Sequence, residues 1–332
     1  MPPAPTVHDP FSVGLDATMP FICAALDPIL AARALSNHLS RALTILAIRV
    51  TRHKPGRRCV IEYDVRYDGS NGTQTLVAKA RAKGTPRTGF DVAQKLWTAG
   101  FDDRARDGIT VAPALALVPE FHMSIFGKVA GIPASELIPG FAGLEIARRV
   151  AHAAHKLHCT HIPTHKRHSF ADELDILRDR LGSVAVLKPE LASRIAHVLN
   201  ACQSFKPPQA PLTGIHRDFY PAQVIIAGDR CCLLDLDLYC EGDPALDIGN
   251  FAAHITEHAL RTNGDPNALL DREEAMIGEY LKLSSTVARE GVELYKTLAL
   301  ARHIFISTQF PQRRHTTEPL LRLVEARLGG VV

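Results

Sequence analysis

The hydrophobic period of this chain changes once, near residue 130, and that change dictates an α+β protein of two lobes. Ahead of it, short β-branched runs alternate with turn residues. Residues 44–50, 59–65 and 75–80 predict three strands, and the dense turn Asp68-Gly69-Ser70-Asn71-Gly72 predicts a hairpin between the second and third. Two more strands are expected at 114–118 and 122–126, with one inserted helix at 91–99. An earlier helix at 27–42 follows from the apolar spacing Ile29, Ala32, Leu35 and Leu39, while residues 1–20 carry no regular period. Behind the change the pattern is helical over 143–157, 170–181 and 190–199, and again from Pro244 to the C-terminus. The exception is 212–237, where short β-like runs return.

The expected organisation is therefore residues 1–130 as an N-terminal antiparallel β-sheet lobe with a helical extension at about 20–42, and residues 131–332 as a larger helical lobe. A chain of 332 residues is long enough for two cores. A net charge of +3 gives no reason to expect a nucleic-acid partner, and no apolar run is long enough to span a membrane. Seven cysteines without regular spacing argue against a disulfide framework and for a reducing compartment, so a cytoplasmic location is expected.

The chemistry concentrates in residues 214–247. His216 and Asp218 stand two apart, the side-chain amide of Gln223 follows five residues later, and the apolar run to Leu234 ends in Asp235. A hairpin turning at Ala227-Gly228-Asp229-Arg230 would bring Gln223 and Asp235 to the same end. A carboxylate to take an alcohol proton, with oxygen ligands for Mg²⁺, is the inventory phosphoryl transfer needs.

These motifs resemble those of the aminoglycoside phosphotransferase and choline kinase superfamily, which shares the bilobal protein-kinase-like fold. That family carries H-x-D-x-x-x-x-N, an apolar strand ending in I-D, then G-D-P-x-x-D. Here they read His216-Arg217-Asp218 to Gln223, Leu234-Asp235, and Gly242-Asp243-Pro244 to Asp247. The resemblance implies ATP-dependent transfer of the γ-phosphoryl group to a hydroxyl of a small molecule, with ATP and Mg²⁺ as cofactors. It implies Asp218 as the base, accompanied by His216, with Asp235 and Gln223 as metal ligands and Asp247 as the acid that braces the loop. Gln223 replaces the usual Asn and is one methylene longer. Asp237 either assists with metal or stands as a solvated acid just past the strand, on the face of Asp235 if the strand continues. A protein kinase is disfavoured, because Tyr220 replaces the lysine two after the aspartate, Asp235 is followed by Leu-Asp, and no A-P-E segment follows.

By the same resemblance, the front lobe must hold nucleotide. Lys79, closing the third strand, is the expected phosphate-pairing lysine, and Lys54, Arg57 and Arg58 around Pro55-Gly56 are the expected phosphate turn. Phe126-Gly127-Lys128 is the expected backbone for adenine, with Val60, Val77 and Met123 lining the ring pocket. Asp91 is the one acid before Gly100 that could pair with Lys79 from a helix. The histidines at 152, 155, 158 and 161 lack an acid to complete a metal site, with Cys159 facing elsewhere, and take structural or solvent-facing roles. The acceptor should be read by the C-terminal helices, where Arg302, His303, Gln309, Gln312, Arg313, Arg314 and His315 favour a sugar or another neutral or anionic metabolite over a choline-like cation. The contrasting possibility is a catalytically weak kinase-fold regulatory protein, given Gln223 and the missing helix Glu.

Overall fold

A computed structural model of the chain describes residues 4–208 and 210–329. The chain divides into two compact units. One runs to Ala130 and includes Leu234–Asp237; the other is Gly131–Leu233 with the chain from Leu238 onward. The break at 130/131 matches the change of period, but the first unit is discontinuous, taking four residues from far along the sequence.

The first unit is built on a six-stranded sheet. Its strands are β1 (Thr6–His8), β2 (Leu43–Lys54), β3 (Arg58–Tyr67), β4 (Thr73–Arg81), β6 (Ala114–Val118) and β7 (Met123–Gly127), in the order β1-β2-β3-β4-β7-β6. Pairing is antiparallel except for β1, which lies parallel to β2 inside a stretch where no regular element was expected. Three residues are too few to show a period, and the partner strand imposes this one. A short strand β5 (Ile109–Val111) precedes β6.

Alternation sorts the sheet's side chains. Ile61, Tyr63, Val65, Leu76, Ala78, Ala80, Met123 and Ile125 turn into one core. Helices α1 (Ile22–Leu26) and α2 (Pro28–Leu39) contribute Ile22, Ala25, Ala31 and Leu35 to it. Asp27 caps α2 by accepting from the Ile29 and Leu30 amides, with Pro28 at the first helical position. The opposite face carries Arg58, Val60, Val77, Lys79 and Arg81, as the registers Arg58↔Arg81 and Val60↔Lys79 require. Helix α3 (Thr88–Leu96) follows β4 after a short loop.

The second unit is mainly helical: α4 (Ala134–Leu137), α5 (Gly143–Cys159), α6 (Phe170–Leu187), α7 (Ala192–Gln203), α8 (Ala245–Asn263), α9 (Leu270–Leu283), α10 (Arg289–Gln309) and α11 (Thr317–Gly329). Among them run two small sheets. One pairs β8 (Ile132–Pro133) with β11 (Val224–Ala227) and β11 with β12 (Arg230–Leu233), while β13 (Cys240–Gly242) joins β9 (Arg167–His168) to β10 (Thr213–Ile215). The β11–β12 hairpin turns at Gly228, φ 55°, where the sequence places it.

Helix α6 starts at a capping box formed by Ser169 and Asp172. Helices α8 and α10 pack closely because Gly249 is small. A Cβ there would stand 2.6 Å from the Lys296 nitrogen and the Val292 oxygen of α10, both backbone atoms that cannot swing aside. Gly249→Val should therefore force the two helices apart and lose about 1–3 kcal/mol of stability, read as a lowered urea midpoint.

Candidate functional site

On the first unit, the polar face of the sheet assembles a charge cluster. Lys79 Nζ lies 2.9 Å from Asp235 Oδ1 and 4.0 Å from Asp237 Oδ1, and Arg81 pairs with Asp237. The Lys79 ammonium also stands 5.3 Å from the Phe126 ring centroid, within cation–π range. Asp235 has φ 57°, a left-handed backbone, so the strand ends at Leu233 and Leu236–Leu238 form a 3-10 turn. Asp235 and Asp237 consequently do not extend a strand, as alternation alone had implied. Asp237 is not a solvated acid but is held by two cations and pressed by Gly89 at the start of α3, where a Cβ would collide with its carboxylate.

Asp91 is exposed on α3, and the carboxylates facing Lys79 come from 235 and 237 instead. The turn Lys54–Arg58 rests on Asp16, which accepts from the Gly56 amide at 2.8 Å and sits 3.0 Å from His53 Nε2. The Thr18 hydroxyl, the Gly56 amide and His53 together hold the Asp16 carboxyl well below its usual range. Gly56 itself needs its glycine, with φ 67°. Lys54 and Arg57 are exposed at this turn, and Arg58 shares the face of Lys79.

Two adenine-pocket expectations change. The Gly127 and Lys128 amides already donate to the Pro113 and Thr75 carbonyls, at 2.9 and 3.0 Å, so neither serves as a free donor to a base. The Lys128 side chain pairs with Glu62 at 2.8 Å. Met123 faces the core opposite Ala80, and Ser124, opposite Lys79, takes the polar side with Phe126. A one-residue choice of phase flips every side chain of a strand, and the run 122–126 is apolar enough to hide it. Lys79, with a quarter of its side chain exposed, and Asp235 beside it offer a cation for phosphate and a carboxylate for a hard metal ion. These residues fit Mg²⁺ and a nucleotide phosphate.

On the second unit, one buried carboxylate organises the loop that follows β10. Asp247, fully buried on α8, accepts from the His216 and Arg217 amides, both at 2.7 Å. Its Oδ2 also lies 3.0 Å from His158 Nε2, whose Nδ1 is 2.7 Å from the Tyr280 hydroxyl. Arg217 takes φ 69°, turning the chain just after the two amides that face Asp247 and ahead of Asp218.

Asn250, three residues along the same helix face, donates to the Phe219 carbonyl at 2.8 Å and accepts from Arg302 at 2.6 Å. Arg302 reaches on to Glu173 at 3.1 Å, and Glu173 meets His168 Nε2 at 2.6 Å. Burial raises the Glu173 carboxyl, but the His168 contact and the Arg302 charge outweigh it and leave it low. Asp218 thus stands between neighbours pinned from both sides. His216 is buried against the Phe219 ring, 5.6 Å between centroids, two residues before Asp218. Gln223 is buried at the start of β11, its amide nitrogen 3.3 Å from the Tyr220 hydroxyl.

His158, set aside from the sequence as structural, proves to be so, within this brace. Cys159 shares a face with His155, Sγ to Nε2 3.5 Å, rather than facing away. His168, Glu173, Asn250 and Arg302 as a brace were not foreseen. The Asp-Ile-Gly-Asn spacing at 247–250 held the signal for Asn250, whereas Glu173 is 129 residues from Arg302 and left none.

A cleft of about 570 Å³ opens in this unit, lined by Asp218, Tyr220, Arg302, His303, Arg313 and residues of α8 and α4. Tyr220 stacks on His254, 4.6 Å apart and 19° from parallel, and His254 meets His303 edge-on. Burial, reinforced by Arg302, Arg313 and Arg261, pushes His303 down to about 3 and His254 well below its ordinary value. Of the acceptor residues expected on the C-terminal helices, Arg302, His303 and Arg313 line this cleft; Gln309, Gln312, Arg314 and His315 are exposed elsewhere.

Residues 100–282, more than half of the chain, match the profile of the phosphotransferase enzyme family. No curated protein matches the chain. Among solved structures, a choline/ethanolamine kinase family protein from Mesorhizobium loti aligns at 15% identity over 93% of each chain, TM-score 0.56. A spectinomycin phosphotransferase in complex with ADP and spectinomycin aligns at 8% identity over 90% of this chain and 97% of its own, TM-score 0.60. An amicoumacin kinase in complex with AMP-PNP, Ca²⁺ and Ami aligns at 10% identity over 92% of this chain and 95% of its own, TM-score 0.58. At these identities the likeness is one of fold.

Two consequences of the geometry are measurable. Asp247→Ala leaves two amides and His158 without their shared acceptor and should lose about 3–5 kcal/mol, measured by chemical denaturation. His303 titrates near 3 when folded and near 6.5 when unfolded, so protons favour the unfolded chain between those values. Its contribution is complete above pH 6.5 and is lost as pH falls, by about 2 kcal/mol at pH 5. The difference in urea stability between pH 7 and pH 5 should shrink in His303→Leu.

Proposed function

The chain belongs to the phosphotransferase enzyme family and is an ATP-dependent small-molecule kinase, and we propose that Asp218 is the base through which it moves the γ-phosphoryl group onto a hydroxyl. The observation that carries this role is the pinning of the loop. Asp247 fixes the two residues before Asp218 or adjacent to it, and Asn250 fixes the one after, at a cleft large enough for a small molecule. A base must be placed before its pKa matters, and here the backbone on either side is held by a buried acid and amide.

In this reading Asp218 takes the hydroxyl proton as the alcohol oxygen bonds to the γ-phosphorus and the bond to ADP breaks. Lys79 draws phosphate oxygens to the polar face of the sheet, and the turn bearing Lys54, Arg57 and Arg58 closes over them. Asp235 and Gln223 are the side chains assigned to Mg²⁺, which when bound neutralises charge on the phosphates. Gln223 supplies a carbonyl oxygen as Asn would, from one methylene further out. Asp237 is assigned a different task from metal binding. Its carboxylate is engaged by Arg81 and lies near Lys79, so it holds the lysine's position in the place of a helix glutamate. The acceptor is a sugar or another neutral or anionic metabolite, because the cleft's acids, Glu136, Asp218 and Glu257, are matched by Arg261, Arg302 and Arg313 and leave no negative excess for a cation.

Among the described residues, no helix is long and apolar enough to cross a membrane. Asp218→Asn should lower kcat by about 10²–10⁴ in a phosphate-transfer assay over an acceptor panel, with ATP affinity kept. Unchanged turnover in that variant would remove Asp218 from the mechanism. Chelation with EDTA should stop turnover in the wild type.

A further inference from the structure

We propose that the alcohol phosphorylated here carries an anionic group, a carboxylate or a phosphate, held in the cleft by Arg313 and Arg261. The inference rests on the phosphotransferase reading above for the fate of the hydroxyl, but its binding step stands on the cleft itself.

The arrangement starts from Glu257, a buried acid on α8. Arg261 Nε is 2.9 Å from its Oε1, and Arg313 Nη1 is 3.9 Å from the same oxygen. One carboxylate between two guanidiniums leaves a positive charge uncompensated at that end of the lining. Arg302 adds no further excess, its own charge being met by Glu173 while it donates to Asn250. The donor inventory agrees. A guanidinium has five N–H donors in a rigid fork. Arg261 uses part of its fork on Glu257 and His258. The Arg313 guanidinium makes no hydrogen bond among the described residues, lying 5.5 Å from the Phe310 ring centroid and 3.9 Å from Glu257, and about a third of its side chain remains exposed in the cleft. Such a fork matches the two oxygens of a carboxylate or phosphate.

Two further features point the same way. His303 is buried on the lining, and its Nε2 has no hydrogen-bond partner among the described residues. The cleft's histidines add no charge to offset or mimic the arginines; His254, His258 and His303 are all held down, by burial first and then by the arginines nearby. A cationic acceptor finds little here. Of the lining's three acids, Glu257 is already paired, Glu136 is exposed and Asp218 is the base proposed above, while Tyr220, the one carbocyclic ring on it, is stacked against His254. An aromatic cage for a quaternary ammonium is not built in this cleft among the described residues.

The test uses the full chain and four probes on one sugar frame: gluconate, glucose 6-phosphate, glucose and glucosamine, titrated by calorimetry. One of the two anions should bind at least about tenfold more tightly than glucose or glucosamine, and which one it is separates carboxylate from phosphate. Arg313→Gln should erase that preference, and Arg313→Lys should keep part of it, which guards against a variant that merely unfolds. Equal or tighter binding of glucose or glucosamine, no heat from either anion, or a preference untouched by Arg313→Gln overturns the proposal. ADP release with ATP and Mg²⁺ is followed in parallel. Anions that bind through Arg313 with no hydroxyl compound ever phosphorylated would sink the phosphotransferase reading and leave the anion site standing. Turnover of glucose or glucosamine that is indifferent to Arg313→Gln does the reverse.

Discussion

The buried carboxylate of Asp247 is the constraint on which the second unit's chemistry depends. A charge removed from water is tolerated only when its lone pairs are met, and this one is met by two backbone amides and an imidazole. The amides belong to the residues that lead into Asp218, so satisfying the acid and shaping the loop are the same event. The imidazole belongs to α5 and is itself fixed by Tyr280 of α9. Three helices are thereby tied to one turn of backbone. The left-handed conformation of Arg217 is affordable in that setting because two 2.7 Å bonds over-determine it.

A second, parallel chain of contacts runs from His168 through Glu173, Arg302 and Asn250 to the Phe219 carbonyl. It differs in composition from the first. Here an arginine sits between two acceptors, and its exposed edge also faces the cleft. Cleft and loop brace therefore share a residue, and a change at Arg302 would disturb both. Arg313 braces nothing in this way.

Much of this was legible before the structure. The strands at 59–65 and 75–80, the hairpin around Gly228 and the helices of the second unit follow from local period and turn residues, which act over a few positions. Asp218, Asp235 and Asp247 were marked by spacing within 35 residues. What escaped were pairings set by distant parts of the chain. Strand β1 is made by its partner, Met123 is placed by register, and Asp237 is claimed by Arg81 and Lys79 rather than by solvent. Asp91 looked suitable by order along the sequence, yet it faces outward on α3. The brace through Glu173 combines side chains more than a hundred residues apart, which no motif records.

The four residues Leu234–Asp237 also bear on how the protein comes into being. Lys79 and its carboxylate partner are separated by 156 positions, and the first unit has no contiguous stretch that contains both. During synthesis the sheet can be complete while its lysine is still without Asp235 or Asp237. The charge cluster closes only after about half of the second unit has been made, a contact of high order and therefore slow to form. A chain interrupted between residues 130 and 235 would hold every strand of the sheet and neither carboxylate of the charge cluster. The absence of that cluster from such fragments is thus built into the threading, independent of whether each core can fold.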